Sequence, residues 1–296
     1  MIPKDKNGYV VSFAPNNINN IINFLDEYGV VVISDIIDNK EIEETIEGIW
    51  QHDELISRGV KRDDKDTWGR NWPQDGLIER KGWISSYDDM KCLQSWKNRF
   101  NKNIINIFEN IWKNAKGENV DLRVKLDRYG VMRPIINSKW KTDEGWLHTD
   151  QNPVTEKDLI KFQGILTLSN SNENNGGFIC IPKFHKEWIN YCETNRPDKD
   201  VCPFTNNNDE RAEKITAKAG SLIIWDSRLP HCNYPNNSLV DFRYVQYLTY
   251  HPVEYESLKR QRIRKEDANI IYNILAQQGY LMSEKEIQLI GGYNII

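Results

Sequence analysis

Ala219-Gly220-Ser221-Leu222-Ile223-Ile224-Trp225-Asp226-Ser227-Arg228-Leu229-Pro230-His231 joins a short apolar run to a polar turn and a histidine. Ser221 to Trp225 is too short for a helix and lies between a glycine and a proline-bearing turn, so it reads as a buried strand. Further strand-length segments lie on both sides of it. Val120 to Tyr129 alternates, with Leu122, Val124 and Leu126 opposite Arg123, Lys125 and Asp127, and Phe162 to Leu168, Gly177 to Ile181 and Phe242 to Tyr250 follow. Short strands separated by Asn, Gly and Pro turns predict a mainly β protein, a sandwich or barrel.

The flanks have a helical period. Ile18, Ile21, Ile22 and Leu25 share a face before Gly29, where a left-handed C-cap would sit, and Val30 to Ile33 then reads as a buried strand. Asp38-Asn39-Lys40-Glu41 has the form of a capping box opening a helix with Ile42, Ile46, Ile49 and Trp50 inward. Lys91 to Ala115 predicts one long amphipathic helix. The Trp-rich segment Asp63 to Tyr87 has no period and reads as a long loop, a lid or plain surface packing. After His251-Pro252 the chain returns to helix. Its basic run Lys259, Arg260, Arg262, Arg264, Lys265 reads as a solvated face, and Ser283-Glu284-Lys285-Glu286 as a cap. The expected organisation is one domain over 1–296: a mostly helical N-terminal region over 1–118, a β core over 119–252 and a helical extension over 253–296.

Composition narrows the function classes. With 39% hydrophobic and 28% charged residues the 296-residue chain can bury a substantial core, and a net charge of −4 gives no pull toward nucleic acid or an anionic membrane. No stretch approaches the length of a membrane span, and the start Met1-Ile2-Pro3-Lys4-Asp5-Lys6 lacks an apolar leader. Five cysteines without a C-x-x-C pair fit neither a disulfide framework nor a zinc knuckle, so a cytoplasmic location is expected.

Chemistry enters with Gly145-Trp146-Leu147-His148-Thr149-Asp150-Gln151. In an extended segment His148 and Asp150 project from one face, because strand side chains alternate. H-x-D alone is a weak motif, but His231 after the buried strand supplies a second imidazole. Two imidazoles and one carboxylate occupy one side of an octahedral ion and leave three positions open, which suits catalytic iron(II) rather than closed structural zinc. Arg243, on the next strand with Val245 and Tyr247, is suited to clamp a carboxylate by two parallel hydrogen bonds, or simply to pair with Asp241.

In this order, with Asn174-Asn175-Gly176-Gly177-Phe178-Ile179-Cys180-Ile181-Pro182 between the two halves and the opening Phe24-Leu25-Asp26-Glu27-Tyr28-Gly29-Val30-Val31-Val32, the sequence resembles the phytanoyl-CoA dioxygenase family. The resemblance runs over most of residues 18 to 252 and implies a double-stranded β-helix (jelly roll, cupin-like). It also implies an Fe(II)- and 2-oxoglutarate-dependent oxygenase using O2 and releasing succinate and CO2. It assigns Fe(II) to His148, Asp150 and His231, and the distal carboxylate of 2-oxoglutarate to Arg243. Asn233 falls near the co-substrate, and Gln163 and Thr167 become candidate co-substrate or substrate contacts inside the barrel. Where the family has Pro-Gly-Ser-His, this chain has Pro182-Lys183-Phe184-His185, and His185 is expected to be structural or hydrogen-bonding. Related halogenases replace the carboxylate ligand by a small residue, so Asp150 implies oxygenation. A small-molecule substrate is the first expectation. The alternatives are modification of a peptide or protein side chain, with the 63–87 segment and the 259–265 run as docking surfaces, or an inert barrel-shaped metal-binding protein.

Overall fold

The computed structural model describes residues 1–84, 91–194, 202–204 and 209–292. Its strands are β1 (Ser12–Phe13), β2 (Val30–Ile33), β3 (Trp83–Ile84), β4 (Leu122–Val124), β5 (Tyr129–Met132), β6 (His148–Thr149) and β7 (Phe162–Thr167). They continue with β8 (Gly177–Cys180), β9 (Cys202–Pro203), β10 (Glu213–Ile215), β11 (Leu222–Asp226), β12 (His231–Tyr234), β13 (Arg243–Tyr247) and β14 (Tyr250–Pro252). One sheet runs β1-β2-β11-β7-β13-β5-β3 and a second β10-β8-β12-β6-β9, while β14 pairs with β4. Two sheets with antiparallel pairings such as β11–β7 and β12–β8 form the jelly-roll core.

Burial on both faces explains why the large sheet reads as continuous apolar runs. Leu222 and Ile224 of β11, with Val31 and Ile33 of β2, join a core shared with Ile21, Leu25, Ile104, Phe108 and Trp112 of the outer helices Ile18–Tyr28 and Lys102–Lys116. Ile223 and Trp225, with Val30, Val32 and Ile165, pack instead with Phe178, Cys180 and Cys232 of the second sheet. Gly29 makes the bend between helix and β2. Its φ is 75°, and a Cβ there would lie 2.6 Å from His185 Nδ1, so both conformation and space require glycine.

Several expectations need correction. The helix predicted over Lys91 to Ala115 is two helices, Leu93–Arg99 and Lys102–Lys116, because the Asn101 side chain accepts from the N–H groups of Asn103 and Ile104 and starts the second. The strand predicted over Val120 to Tyr129 is only Leu122–Val124, and β5 begins where it was expected to end. The strand Phe242 to Tyr250 divides into β13 and β14, which belong to different sheets. The Trp-rich segment is no plain loop. It holds a 3-10 turn Lys65–Trp68, a helix Gly76–Lys81 and edge strand β3, with Trp68 and Trp72 buried; residues 85–87 lie outside the described residues.

The basic run is not wholly solvated either. Arg264 turns inward, donating through Nε to Glu256 Oε1 at 2.5 Å and through Nη1 to the Val124 carbonyl at 2.7 Å, while His251 Nε2 meets the same Glu256 oxygen at 2.8 Å. Burial pushes the Glu256 carboxyl up, but His251 and Arg264 outweigh it and hold it below the usual range. Its stabilisation is therefore present above the ordinary carboxyl pKa and is lost as pH falls through the folded value. Glu256→Gln strands a buried guanidinium and is expected to cost about 3–5 kcal/mol of unfolding free energy in a denaturant titration. A cost under about 1 kcal/mol, as at an exposed pair, would contradict this.

Candidate active site

β6 and β12 are antiparallel neighbours, and His148 is the register partner of His231. The two imidazoles therefore leave the sheet side by side, with ring centroids 4.6 Å apart. The chain leaves β6 at Asp150, whose Oδ1 lies 3.4 Å from His148 Nε2 and whose Oδ2 lies 3.6 Å from His231 Nε2. One donor atom from each of the three falls within 4.8 Å of the others.

Each ring is oriented from behind. His148 Nδ1 meets the Trp146 carbonyl at 3.3 Å and His231 Nδ1 the Leu229 carbonyl at 2.9 Å. A carbonyl only accepts, so each Nδ1 carries a proton and each Nε2 is turned toward Asp150. Burial lowers the His148 pKa against the opposing pull of Asp150. Burial would raise the Asp150 carboxyl, but the two imidazoles hold it well below the usual range. Two imidazole nitrogens and one carboxylate oxygen fit a divalent iron ion, with the Asp150 side open to a cavity.

That cavity, of about 100 Å³, is lined by the triad and by Gln163, Asn233, Tyr247 and the rings of Trp83, Trp146, Phe178 and Trp225. Trp146 stacks on His148 at 5.0 Å and 14°, and the Lys81 ammonium stands 3.4 Å from the Trp146 ring centre. Gln163 Nε2 donates to Asp150 Oδ2 at 2.6 Å, so this residue contacts the candidate metal ligand itself. The indole N–H of Trp225, 2% exposed in the cavity wall, has no hydrogen-bond partner. Tyr247 is a hub. Its hydroxyl accepts from Trp83 Nε1 at 3.1 Å and from Asn233 Nδ2 at 3.0 Å.

Arg243 does not line the cavity but lies beneath it, beside Tyr247, and is 2% exposed. Gly176 makes room for it: a Cβ there would fall 2.6 Å from Arg243 Cδ. No carboxylate among the described residues forms an ion pair with Arg243, and Asp241 bonds Ser238 Oγ instead, which removes the simple ion-pair reading. Its Nε is buried without a partner, and burial lowers its pKa. An unpaired guanidinium taken out of water is costly unless a ligand anion completes it. This cradle fits a carboxylate of 2-oxoglutarate.

Thr167 is a correction. It shares the inward face with Gln163 but lies outside the cavity, its hydroxyl donating toward the carbonyls of Lys218 and Ser221, at 2.7 and 2.9 Å. His185 is hydrogen-bonding, as expected, with Nε2 donating to the Asp26 carbonyl at 3.0 Å. Sequence reasoning missed Trp83, Trp225 and Tyr247 as site residues. Only Tyr247 had a signal, its position on the Arg243 face of one strand.

Fold and donor set together define a class, the non-haem iron enzymes that use 2-oxoglutarate. Within it, the chain belongs to the phytanoyl-CoA dioxygenase (PhyH) family, whose model matches residues 25–243. A Dictyostelium discoideum protein named "Putative phytanoyl-CoA dioxygenase" is 25% identical over 310 residues, covering 90% of this chain and 85% of that protein. Ava biosynthesis cluster protein O of Aspergillus versicolor is 23% identical over 190 residues, covering 57% of this chain and 58% of its own. Among solved structures, the epimerase SnoN in complex with Fe3+, alpha ketoglutarate and nogalamycin RO aligns over 80% of this chain and 84% of its own, with a TM-score of 0.53 and 12% identity. At that identity the likeness concerns the fold.

Proposed function

We propose that this enzyme oxidises an unactivated C–H bond of a small molecule by hydroxylation, with His148, Asp150 and His231 holding Fe(II) and Arg243 holding the distal carboxylate of 2-oxoglutarate. The observation that carries this reading is the convergence of the three donor atoms within 4.8 Å beside a buried Arg243 that has no carboxylate partner among the described residues. When bound, metal and co-substrate supply the activation of O2, and the co-substrate leaves as succinate and CO2. The chain's own residues bind, orient and exclude water. The carbonyls of Trp146 and Leu229 fix the imidazole tautomers, and Gln163 fixes the Asp150 carboxylate.

Tyr247 belongs to the co-substrate cradle by its position beside Arg243. Its hydroxyl accepts from Trp83 and Asn233 and donates to Asn233 Oδ1 at 3.2 Å, and it lies beside Arg243, so a carboxylate held there would compete with Asn233 for its proton. A cavity lined by the rings of Trp83, Trp146, Phe178 and Trp225 suits the apolar body of a small molecule. Among the described residues, Cys180 and Cys232 are buried thiols, which supports a reducing, cytosolic setting, and we read the whole chain as one functional unit. No helix among the described residues is long and apolar enough to cross a membrane.

The test is succinate release stimulated by a metabolite panel, with products examined by mass. A product gaining one oxygen supports hydroxylation. An isomer of unchanged mass, as an epimerase would give, contradicts it. Gln163→Leu should weaken Fe(II) binding about 10- to 100-fold in an anaerobic titration, the size of effect typical of groups that orient a ligand. Unchanged affinity would show that Gln163 does not hold Asp150.

A further inference from the structure

We infer that the substrate is an organic oxyanion, a carboxylic acid or phosphate monoester, held at the cavity mouth by Arg128; this rests on the function proposed above and names the substrate class of the same site. Arg128 lines the cavity that holds the triad, together with Lys125 and Asp127. Its guanidinium lies over the Trp83 ring, 4.5 Å from the centroid, which fixes the plane of the fork. Its Nε donates to Asp127 Oδ1 at 3.2 Å, and the same oxygen accepts from the Arg128 backbone N–H at 2.9 Å. Backbone bonds anchor the segment to the strand that carries the cavity residues: Tyr247 N donates to the Arg128 carbonyl at 3.0 Å, and Lys125 N to the Thr249 carbonyl at 2.7 Å.

With Nε committed, the two Nη groups have no hydrogen-bond partner among the described residues. A guanidinium held by a stack and by one pairing presents that edge as a bidentate donor, the geometry that matches a carboxylate or phosphate. Charge agrees. Lys125 Nζ lies 3.7 Å from Asp127 Oδ2, so one carboxylate faces two cations and the mouth keeps one positive charge, on a chain whose net charge is −4. Trp83 beneath this fork packs on Trp146 at 5.6 Å, and Trp146 stacks on His148, so a run of rings leads from the fork to the triad and suits an apolar body. The substrate is thus an amphipathic acid, anchored at its anionic end with carbon presented to the metal side.

The experiment uses 4-phenylbutanoate, 4-phenylbutanamide, 4-phenylbutylamine and 3-phenylpropyl phosphate as matched probes. Their affinities are read by ligand-observed NMR on the full chain, alone and loaded with Zn(II) and 2-oxoglutarate. At least one of the two anions should bind tenfold or more tighter than the amide, with the amine weakest. The carboxylate and phosphate arms tell the two anion types apart. Arg128→Gln should abolish the preference and Arg128→Lys should restore some of it, while calorimetric 2-oxoglutarate affinity stays within twofold. Equal binding of acid and amide, or a preference surviving Arg128→Gln, overturns the inference. So does a fall of 2-oxoglutarate affinity in Arg128→Gln, which would assign the fork to the co-substrate. Failure of the wild-type chain to bind 2-oxoglutarate would instead sink the proposed function, since the acid preference is also read on the unloaded chain.

Discussion

Asp150→Ala is expected to lower substrate-dependent succinate formation by about a thousandfold or more. A resident metal supplies several kcal/mol of transition-state stabilisation, and each 1.36 kcal/mol is tenfold in rate. Asp150 is the sole carboxylate in the candidate metal cluster and the acceptor of the Gln163 bond, so alanine removes the anionic ligand and leaves Gln163 Nε2 without that acceptor. The fold should survive, because the side chain is half-buried and faces the cavity rather than either apolar core. Iron content and a coupled succinate assay measure the effect, with an unfolding curve as control. Retained hydroxylation would show that the metal lies elsewhere.

Arg243→Ala should weaken 2-oxoglutarate binding by about 100- to 1000-fold. Truncating one partner of a buried, hydrogen-bonded charge pair costs about 2–5 kcal/mol, and 1.4 kcal/mol is tenfold in affinity. Tyr247→Phe, which removes the hydroxyl that stands beside Arg243 and ties Asn233, should cost about tenfold. Lysine at 243 should rescue poorly, because a point charge does not reproduce the guanidinium fork. Stability separates this role from a structural one. Arg243 is buried with its Nε unsatisfied, so Arg243→Met should leave the melting temperature unchanged or raise it. A marked fall would make Arg243 a residue of the fold rather than of the site.

The elements of the fold that were legible in sequence are those where one face decides the neighbours. Leu222 to Trp225 is buried on both sides, so it reads as a strand whatever lies beyond it, and Gly29 marks the bend from the first helix into β2 by needing both a left-handed φ and the absence of a Cβ. The triad was legible because H-x-D needs only strand alternation. The pairing of β6 with β12 that brings His231 to it could come only from the family pattern or from coordinates. Asn233, Gln163 and Arg243 fall beside the triad, lining the cavity or lying just beneath it, but Gln163 meets Asp150 rather than a free ligand. Thr167 failed for a physical reason: inward-facing residues at the end of β7 meet the turn before β11, where backbone carbonyls claim a hydroxyl. Trp83 was illegible. It lies on a two-residue edge strand inside an aperiodic segment, and its role depends on Tyr247 and Arg128, distant in sequence.

The central proposal is that His148, Asp150 and His231 would hold the iron and Arg243 the distal carboxylate of 2-oxoglutarate. Anaerobic titration of the Fe(II)-loaded protein with 2-oxoglutarate, followed by visible charge-transfer absorption and by calorimetry, tests it most directly. A saturable band at one equivalent, lost in Asp150→Ala and shifted to much higher 2-oxoglutarate concentration in Arg243→Ala, is the expected result. No band in the wild-type protein, or a band unchanged in both variants, would contradict it.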